Sequence, residues 1–346
     1  VTSIYQYSKE ELTSLLEGQP SYRVEQLWHG LWNEARHIDE ITTIPKALRT
    51  SLVEQFPDSL RVVNDVASDH GATRKWVFQL DGGATIETVL MHYDDRVTVC
   101  VSSQAGCAMG CTFCATGQAG FSGQLSVGQV IEQVMFATRA AAPSRLSNVV
   151  FMGMGEPLAN YAVTVEVVRR LHGYRGLSAR HLTVSTVGVA PAIERLANEG
   201  LPLTLAVSLH AANDETRNEL VPLNRRYPLE RLHQACATWI ERTGRRLSFE
   251  WALIDGVNDT DRAMDELADY AQSLSAHVNL IPLNPTPGYL VMGSSAQRVH
   301  EFRDGLLERG VNATVRNTRG RSIAAACGQL AQVTNAKRRT IPVRAG

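Results

Sequence analysis

The sequence predicts an α/β fold, an open or partial (β/α)6 barrel preceded by a small helical domain, and three observations carry that prediction. Beyond about Arg74, short β-branched runs alternate with longer amphipathic segments, as when crossover helices bury both faces of a parallel sheet. About six such units can be counted from RVTVCVSS onward, fewer than the eight of a closed barrel. The unusual polar and glycine-rich stretches CAMGCTFC, GMGEP, STVG, SLHAAND and PLNPTPG each follow an apolar run, placing them at the carboxyl ends of parallel strands, where such folds keep their chemistry.

Taken in order, residues 1–65 form a helical accessory domain. KEELTSLLEG, YRVEQLWHGLWNEA and LRTSLVEQF place apolar residues three and four apart, with Pro20, Pro45 and Pro57 as punctuation. Residues 66–95 are β-rich: RKWVFQL and TIETVLMHY, separated by DGG and DD, read as a meander continuing into RVTVCVSS. Residues 96–310 make the barrel. Its strands are RVTVCVSS, NVVFMGM, HLTVSTVG, LTLAVSLH, LSFEWALI and VNLIPLN; LSVGQVIEQVMFATRA and NYAVTVEVVRRLHG are two of its helices. Residues 311–346 form a basic C-terminal segment with Arg316, Arg319, Arg321, Lys337, Arg338, Arg339 and Arg344 and no acidic residue.

The composition excludes several classes. Over 346 residues, 34 Lys+Arg against 35 Asp+Glu give a net charge of −1, with 44% hydrophobic and 20% charged residues. That is an ordinary globular average, neither a disordered chain nor a histone-like polycation. No run of eighteen apolar residues appears, and VTSIYQYSKEELTSLLEG has no basic stretch followed by an apolar core. The expectation is a cytoplasmic, monomeric protein with no membrane partner.

Six cysteines are too few and too unevenly placed for a disulfide scaffold. Cys107, Cys111 and Cys114 form C-x3-C-x2-C on the loop after the first barrel strand. Three thiolates so spaced can hold three irons of a [4Fe–4S] cluster and leave one iron open to another ligand. A zinc site would need a fourth ligand of matching spacing, and no second C-x2-C or H-x3-H follows. Packed structural thiols are the bland alternative, disfavoured by a flexible polar loop. Phe113 would shield the cluster from water, and Cys236, in LHQACATWI, reads as packing.

C-x3-C-x-aromatic-C on this loop resembles the radical S-adenosylmethionine (SAM) superfamily. CVSSQAGCAMGCTFCATG, VVFMGMGEPLANY, VSTVGVAP, LAVSLHAANDETRNELVPLN, NLIPLNP and TVRNTRGRSIAAACGQLA together resemble the RlmN/Cfr family of RNA adenine methyltransferases, from about residue 20 to about 332. The resemblance implies a radical-SAM barrel, one [4Fe–4S] cluster on Cys107, Cys111 and Cys114, and two SAM molecules per turnover. Gly155, Glu156, Ser185, Ser208, Leu209, His210 and Asn284 would contact SAM. The glycines of GMGEP permit close backbone approach and Glu156 offers an acceptor for an amine; on its own GMGEP could be a tight turn with a capping acid, and His210 a satisfied loop histidine.

Adenine C2 lacks a usefully acidic proton, so methyl-cation transfer has no nucleophile there and a radical route is required. The resemblance implies that one SAM methylates the sulfur of Cys327 and a second, cleaved reductively, yields a 5′-deoxyadenosyl radical. That radical takes a hydrogen from the S-methyl group, and the methylene radical adds to adenine. Cys100 then resolves the protein–RNA adduct by attacking the Cys327 sulfur, giving a transient disulfide, so the two must lie within disulfide reach. Glu87, matching the family's acidic residue, would accept the adduct proton, with a pKa raised in a half-buried strand. Read without the family, Cys100 is a packed strand thiol, Cys327 a core helix cysteine and Glu87 a solvent-facing alternation position.

The implied substrates are 23S rRNA and tRNA, giving 2-methyladenosine, with flavodoxin or ferredoxin as electron donor. RNA would meet the basic C-terminal segment, Arg225, Arg226 and the helical domain. The alternatives are an adenine C8 methyltransferase of Cfr type, which shares the same cysteines, and a non-catalytic metal-containing RNA-binding protein.

Overall fold

The structure, a computed structural model, describes residues 1–330 other than Pro287 and Thr318. Three helices open the chain: α1 (Lys9–Leu15), α2 (Tyr22–Trp28), which widens into a π-turn over His29–Asn33, and α3 (Lys46–Gln55). Ser8 and Glu11 cap α1 reciprocally, Ser8 accepting from the Glu11 N–H while the Glu11 carboxylate accepts from the Ser8 N–H. The apolar residues at helical spacing, Leu12, Val24, Leu27, Leu31 and Leu52, are all buried. The helical unit ends earlier than expected, because β1 (Arg61–Ser68) already belongs to the sheet.

Strands β1, β2 (Thr73–Gln79), β3 (Thr85–His92) and β4 (Val97–Cys100) form an antiparallel meander. A short hairpin follows, β5 (Gln104–Gly106) with β6 (Phe121–Gln124), enclosing the cysteine loop and α4 (Ala115–Ala119). Then come α5 (Val127–Ala141), β7 (Asn148–Phe151), α6 (Tyr161–Gly173), β8 (Leu182–Thr186), α7 (Ala190–Leu196), β9 (Thr204–Ser208), α8 (Asp214–Leu220), α9 (Leu229–Thr243), β10 (Ser248–Leu253), α10 (Asp261–Ser273), β11 (His277–Pro282), α11 (Ala296–Glu308) and β12 (Ala313–Val315).

One ten-stranded sheet runs β1-β2-β3-β4-β7-β8-β9-β10-β11-β12, parallel from β4 onward and not closed. The six expected parallel strands are present, and β12 adds a short seventh from the segment read as a tail. The β-rich residues before the barrel extend its sheet, because β3 pairs directly with β4. Helices α5, α9 and α10 turn apolar faces inward; α9 buries Leu232, Ala235, Cys236 and Trp239 and stops at Gly244, whose φ of 63° suits glycine. Cys236 is fully buried there, consistent with packing. The lumen end away from the cysteine loop is lined by short polar groups, among them Thr98, Asn148, Thr183, Thr204 and Asn279. No helix among the described residues is long and apolar enough to cross a membrane.

Candidate active site

The cysteine loop is held at both ends by backbone. The Cys107 N–H donates to the Gly120 carbonyl at 2.9 Å, and the Cys114 N–H to the Cys111 carbonyl at 3.2 Å. Gly117 on α4 lets the helix pack on this loop, since a Cβ there would stand 3.0 Å from both N and O of Cys111. Burial pushes the Cys107 thiol up to about 11 and raises that of Cys111 further, and the neighbouring thiols add to both shifts. Sulfurs near enough to disfavour one another's ionisation are donors that a cationic cluster would bring to the thiolate form. No three His, Cys, Asp or Glu among the described residues close around a single ion, a geometry a cubane does not require, because each thiolate holds a different iron. The donor set thus fits a [4Fe–4S] cluster better than zinc.

Beside the loop lies a cleft of about 1040 Å³, counting space open to solvent, in the size class of small-molecule sites. Cys107, Cys111 and Cys114 line it together with Gly155, Glu156, Ser185, Ser208, His210, Asn284 and Cys327. Leu209 does not: its side chain is buried in the core, and its backbone bonds the Glu250 carbonyl and the Ala211 N–H.

Two of these residues also tie loops of the protein together. The Glu156 carboxylate, in the cleft wall, accepts from the Leu158 N–H at 2.9 Å on one oxygen and the Val187 N–H at 2.8 Å on the other, which leaves acceptor capacity on both. Burial pushes its pKa up to about 7 against those bonds, and it joins the loops after β7 and β8. Asn284 donates to the Cys327 carbonyl at 3.2 Å and accepts from Arg321 Nε at 3.0 Å, so its amide seats the C-terminal loop. Gly155 sits at φ 101°, where a Cβ would meet Gln104 Cβ at 2.6 Å; the glycine allows its loop to close against Gln104 of β5.

His210 adopts φ 61°. Its Nδ1 accepts from the Ala252 N–H at 3.0 Å, which fixes the proton of the neutral ring on Nε2. Burial, then the Arg217 charge, lower its pKa to about 3. The ring meets Phe113 edge-on at 4.7 Å, so the aromatic beside Cys114 covers both the cluster loop and this histidine.

Cys327 lies in a loop after a short 3-10 turn (Arg321–Ile323), not in a core helix. The loop is pinned by Asn284 at the Cys327 carbonyl, by the Ala115 N–H on the Gly328 carbonyl at 2.8 Å, and by Thr116 on the Leu330 carbonyl. A second, smaller cavity is lined by Cys100, Cys327, Tyr93 and Arg316. Cys327 belongs to both cavities, and the two share a wall that includes Met152, Asn284 and Arg316. Burial pushes Cys100 up to about 12, with Cys327 adding to the rise and Arg316 opposing it.

Glu87 is fully buried, not half-buried and not solvent-facing. Burial pushes its pKa up to about 7 against the pull of Lys75, whose Nζ stands 3.3 Å from Oε2.

Several residues escaped the sequence reading. Arg217, 1% exposed, donates to the carbonyls of Leu209 (3.0 Å), Val187 (2.7 Å) and Ser208 (3.3 Å) and to Asn224 Oδ1 (2.7 Å). It clamps the carboxyl ends of β8 and β9. Asn258 bonds the carbonyls of His210 and Ala252, each at 2.7 Å. Arg316, counted among RNA-facing cations, points instead into the cavities, 3.7 Å from Glu250; Cys327, Glu250 and Cys100 all favour its charge against burial. Arg319 lies over the Tyr93 ring at 4.7 Å and Arg321 on Asn284. Arg225 and Arg226 are exposed, while Lys337, Arg338, Arg339 and Arg344 lie outside the described residues.

A three-cysteine loop at the carboxyl ends of an open parallel barrel, facing a cleft lined by glycines and polar side chains, marks a radical SAM enzyme, and residues 101–270 match the Radical SAM superfamily. Such enzymes use a [4Fe–4S] cluster and SAM. The chain is 51% identical over 329 residues to the probable dual-specificity RNA methyltransferase RlmN of Frankia casuarinae, covering 91% of this chain and 78% of the relative. It is 48% identical over 346 residues to the protein of the same name from Chloroflexus aurantiacus, covering 95% and 92%. The crystal structure of a radical SAM methyltransferase from Sphaerobacter thermophilus superposes with a TM-score of 0.92 at 47% identity, covering 95% of this chain and 99% of that one. The chain belongs to the RlmN family of radical SAM RNA methyltransferases.

Proposed function

We propose that this enzyme methylates C2 of an unstacked adenine in 23S rRNA and in tRNA, carrying the methyl group on Cys327 and releasing product through a Cys100–Cys327 disulfide. The observation that carries the reading is the position of Cys327 in the wall between the cleft of the cysteine loop and the cavity of Cys100. A sulfur there is accessible from both sides: to a methyl donor in the cleft and to a resolving thiol behind it.

Cys107, Cys111 and Cys114 hold the cluster, which with SAM supplies one-electron cleavage of a sulfonium bond. The chain's residues perform the rest. Gly155, Ser185, Ser208 and His210 contact SAM, His210 through its Nε2–H donor; Glu156 contributes by fixing the loops around it, and Leu209 through backbone alone. Arg316 favours thiolate at Cys100 by its charge. Glu87 accepts the proton of the tethered adenine carbon. The Cys100 thiolate then attacks the Cys327 sulfur; the S–S bond forms, the C–S bonding pair leaves with the methylene carbon, that carbon takes a proton to become methyl, and the one unpaired electron left by radical addition returns to the one-electron carrier that supplied it.

The target base must leave its stack to reach a buried sulfur, which favours loop adenines. Arg225, Arg226 and the helical unit meet the RNA backbone, the enzyme acts as a monomer in the cytoplasm, and a flavodoxin or ferredoxin delivers the electron. The test is anaerobic incubation of the cluster-loaded protein with reductant, SAM and each RNA, followed by mass spectrometry of the digest against authentic nucleosides. 2-Methyladenosine is expected; 8-methyladenosine alone, or no methyl in RNA and no 5′-deoxyadenosine, overturns the proposal.

A further inference from the structure

We propose that Lys75 is a positioning residue that keeps the buried carboxylate of Glu87 ionised while anchoring the loop that carries Cys327. This rests on the reading of Glu87 as proton acceptor and adds the residue on which that role depends.

The sheet brings these groups together. Lys75 on β2 lies opposite Val89 on β3, and Val89 lies opposite Cys100 on β4. Cross-strand partners share a face, as do residues two apart on one strand, so Lys75, Glu87 and Cys100 project from the same side of the sheet. Both members of the charged pair are buried, Lys75 at 6% and Glu87 at 1% exposure. The Lys75 ammonium donates its hydrogen bond to the carbonyl of Ala324 at 3.0 Å. Ala324 is three residues before Cys327 and holds φ 50°, a left-handed conformation. Nζ is also 3.3 Å from Glu87 Oε2, an ion pair in which that oxygen receives no hydrogen bond.

A buried lysine is costly unless its charge is used, and here it is shared between a loop carbonyl and a carboxylate. The charge bearing on Glu87 among the described residues is that of Lys75. From β4 the neutral Cys100 thiol shares its face, Ser102 just beyond that strand meets Glu87 only at its backbone carbonyl, and the loop offers the uncharged Ala324 carbonyl. With Lys75 removed, desolvation acts on Glu87 unopposed. The step at stake is a proton transfer: the C–H bond of the tethered adenine carbon breaks, its electron pair stays with the ring, and a Glu87 oxygen takes the proton.

The experiment uses the full cluster-loaded chain with RNA deuterated at adenine C2, reading deuterium release to solvent against pH in single turnover. S-methylation of Cys327 is read in parallel by intact-protein mass. This readout precedes the Cys100 step, so the thiol adds no limb of its own. Lys75→Met is expected to move the acid midpoint of deuterium release upward by about one pH unit or more, a loss of about tenfold below it; Lys75→Arg restores the midpoint. Lys75→Gln keeps a donor for Ala324 without the charge, serves where the methionine variant does not fold, and should show the same shift with Cys327 still methylated. A uniform loss at every pH with an unmoved midpoint, in whichever variant folds, overturns the proposal and leaves Lys75 a structural anchor. Glu87→Gln separates the two readings: normal deuterium release in that variant overturns the role of Glu87 itself, whereas a stalled Glu87→Gln with unshifted Lys75 variants overturns only the role of Lys75.

Discussion

Arg217 offers the sharpest test of how the site is held. Its guanidinium gathers the carbonyls of Val187, Leu209 and Ser208 and the Asn224 side chain around one buried charge. In Arg217→Met the Leu209 carbonyl keeps the Ala211 N–H at 2.8 Å, so the cost falls mainly on Val187 and Asn224. A buried acceptor left unsatisfied costs about 1–3 kcal/mol, about 2–6 kcal/mol for two. Relief from burying a charge offsets part of this, because burial is the first cause lowering the Arg217 pKa. The net expectation is about 3 kcal/mol of lost stability. Urea unfolding of the cluster-loaded protein, read as a midpoint shift at constant slope, measures it, and calorimetry with SAM reports the loosening of the β8 and β9 loop ends. A loss below about 1 kcal/mol with unchanged SAM affinity would refute the clamp.

Three further outcomes are expected. Cys100→Ala should accumulate a covalent protein–RNA adduct visible on denaturing gels, and normal turnover in that variant would remove its resolving role. Because the Glu87 pKa is raised to about 7 and the base acts ionised, deuterium release from adenine C2 should fall about tenfold per pH unit below that value; a flat profile from pH about 5 to 8 would contradict the assignment. Arg225→Ala and Arg226→Ala should each flatten the salt dependence of RNA binding, lowering the log–log slope by about 0.7–0.9, with no change in Cys327 methylation; an unchanged slope would take them out of the RNA contact.

The sequence made the parallel half of the sheet legible because each of its strands is apolar, short and followed by a polar loop. β1 was missed for the opposite reason: it is an edge strand, nearly all of it exposed, and its polar text RVVNDVAS carries no alternation. β12 was missed because three residues inside a basic segment give no pattern. The cysteine loop was legible from spacing alone, whereas Cys100, Cys327 and Glu87 needed the family, since a lone residue on a strand or loop carries no periodic signal. The structure also adds structural partners to residues that motif reading assigned to ligand contact. Glu156 and Asn284 sit in the cleft wall and also bond the protein's own loops. Arg217 and Lys75 were invisible because a charge in a helix or strand ordinarily means a solvated face; only the fold shows Arg217 buried among carbonyls and Lys75 between the Ala324 carbonyl and Glu87. One signal was available for Lys75, its place in the otherwise apolar meander strand RKWVFQL.

The most direct test follows the methyl group itself. Cluster-loaded protein is given SAM bearing an isotopically labelled methyl, then RNA, and the Cys327 peptide and the RNA digest are read by mass spectrometry over a single turnover. Label on the Cys327 sulfur before RNA is added, declining as labelled 2-methyladenosine rises, is the expected result. Labelled RNA formed while the Cys327 peptide stays unmodified, or formed by Cys327→Ala, would contradict a methyl carried on that sulfur.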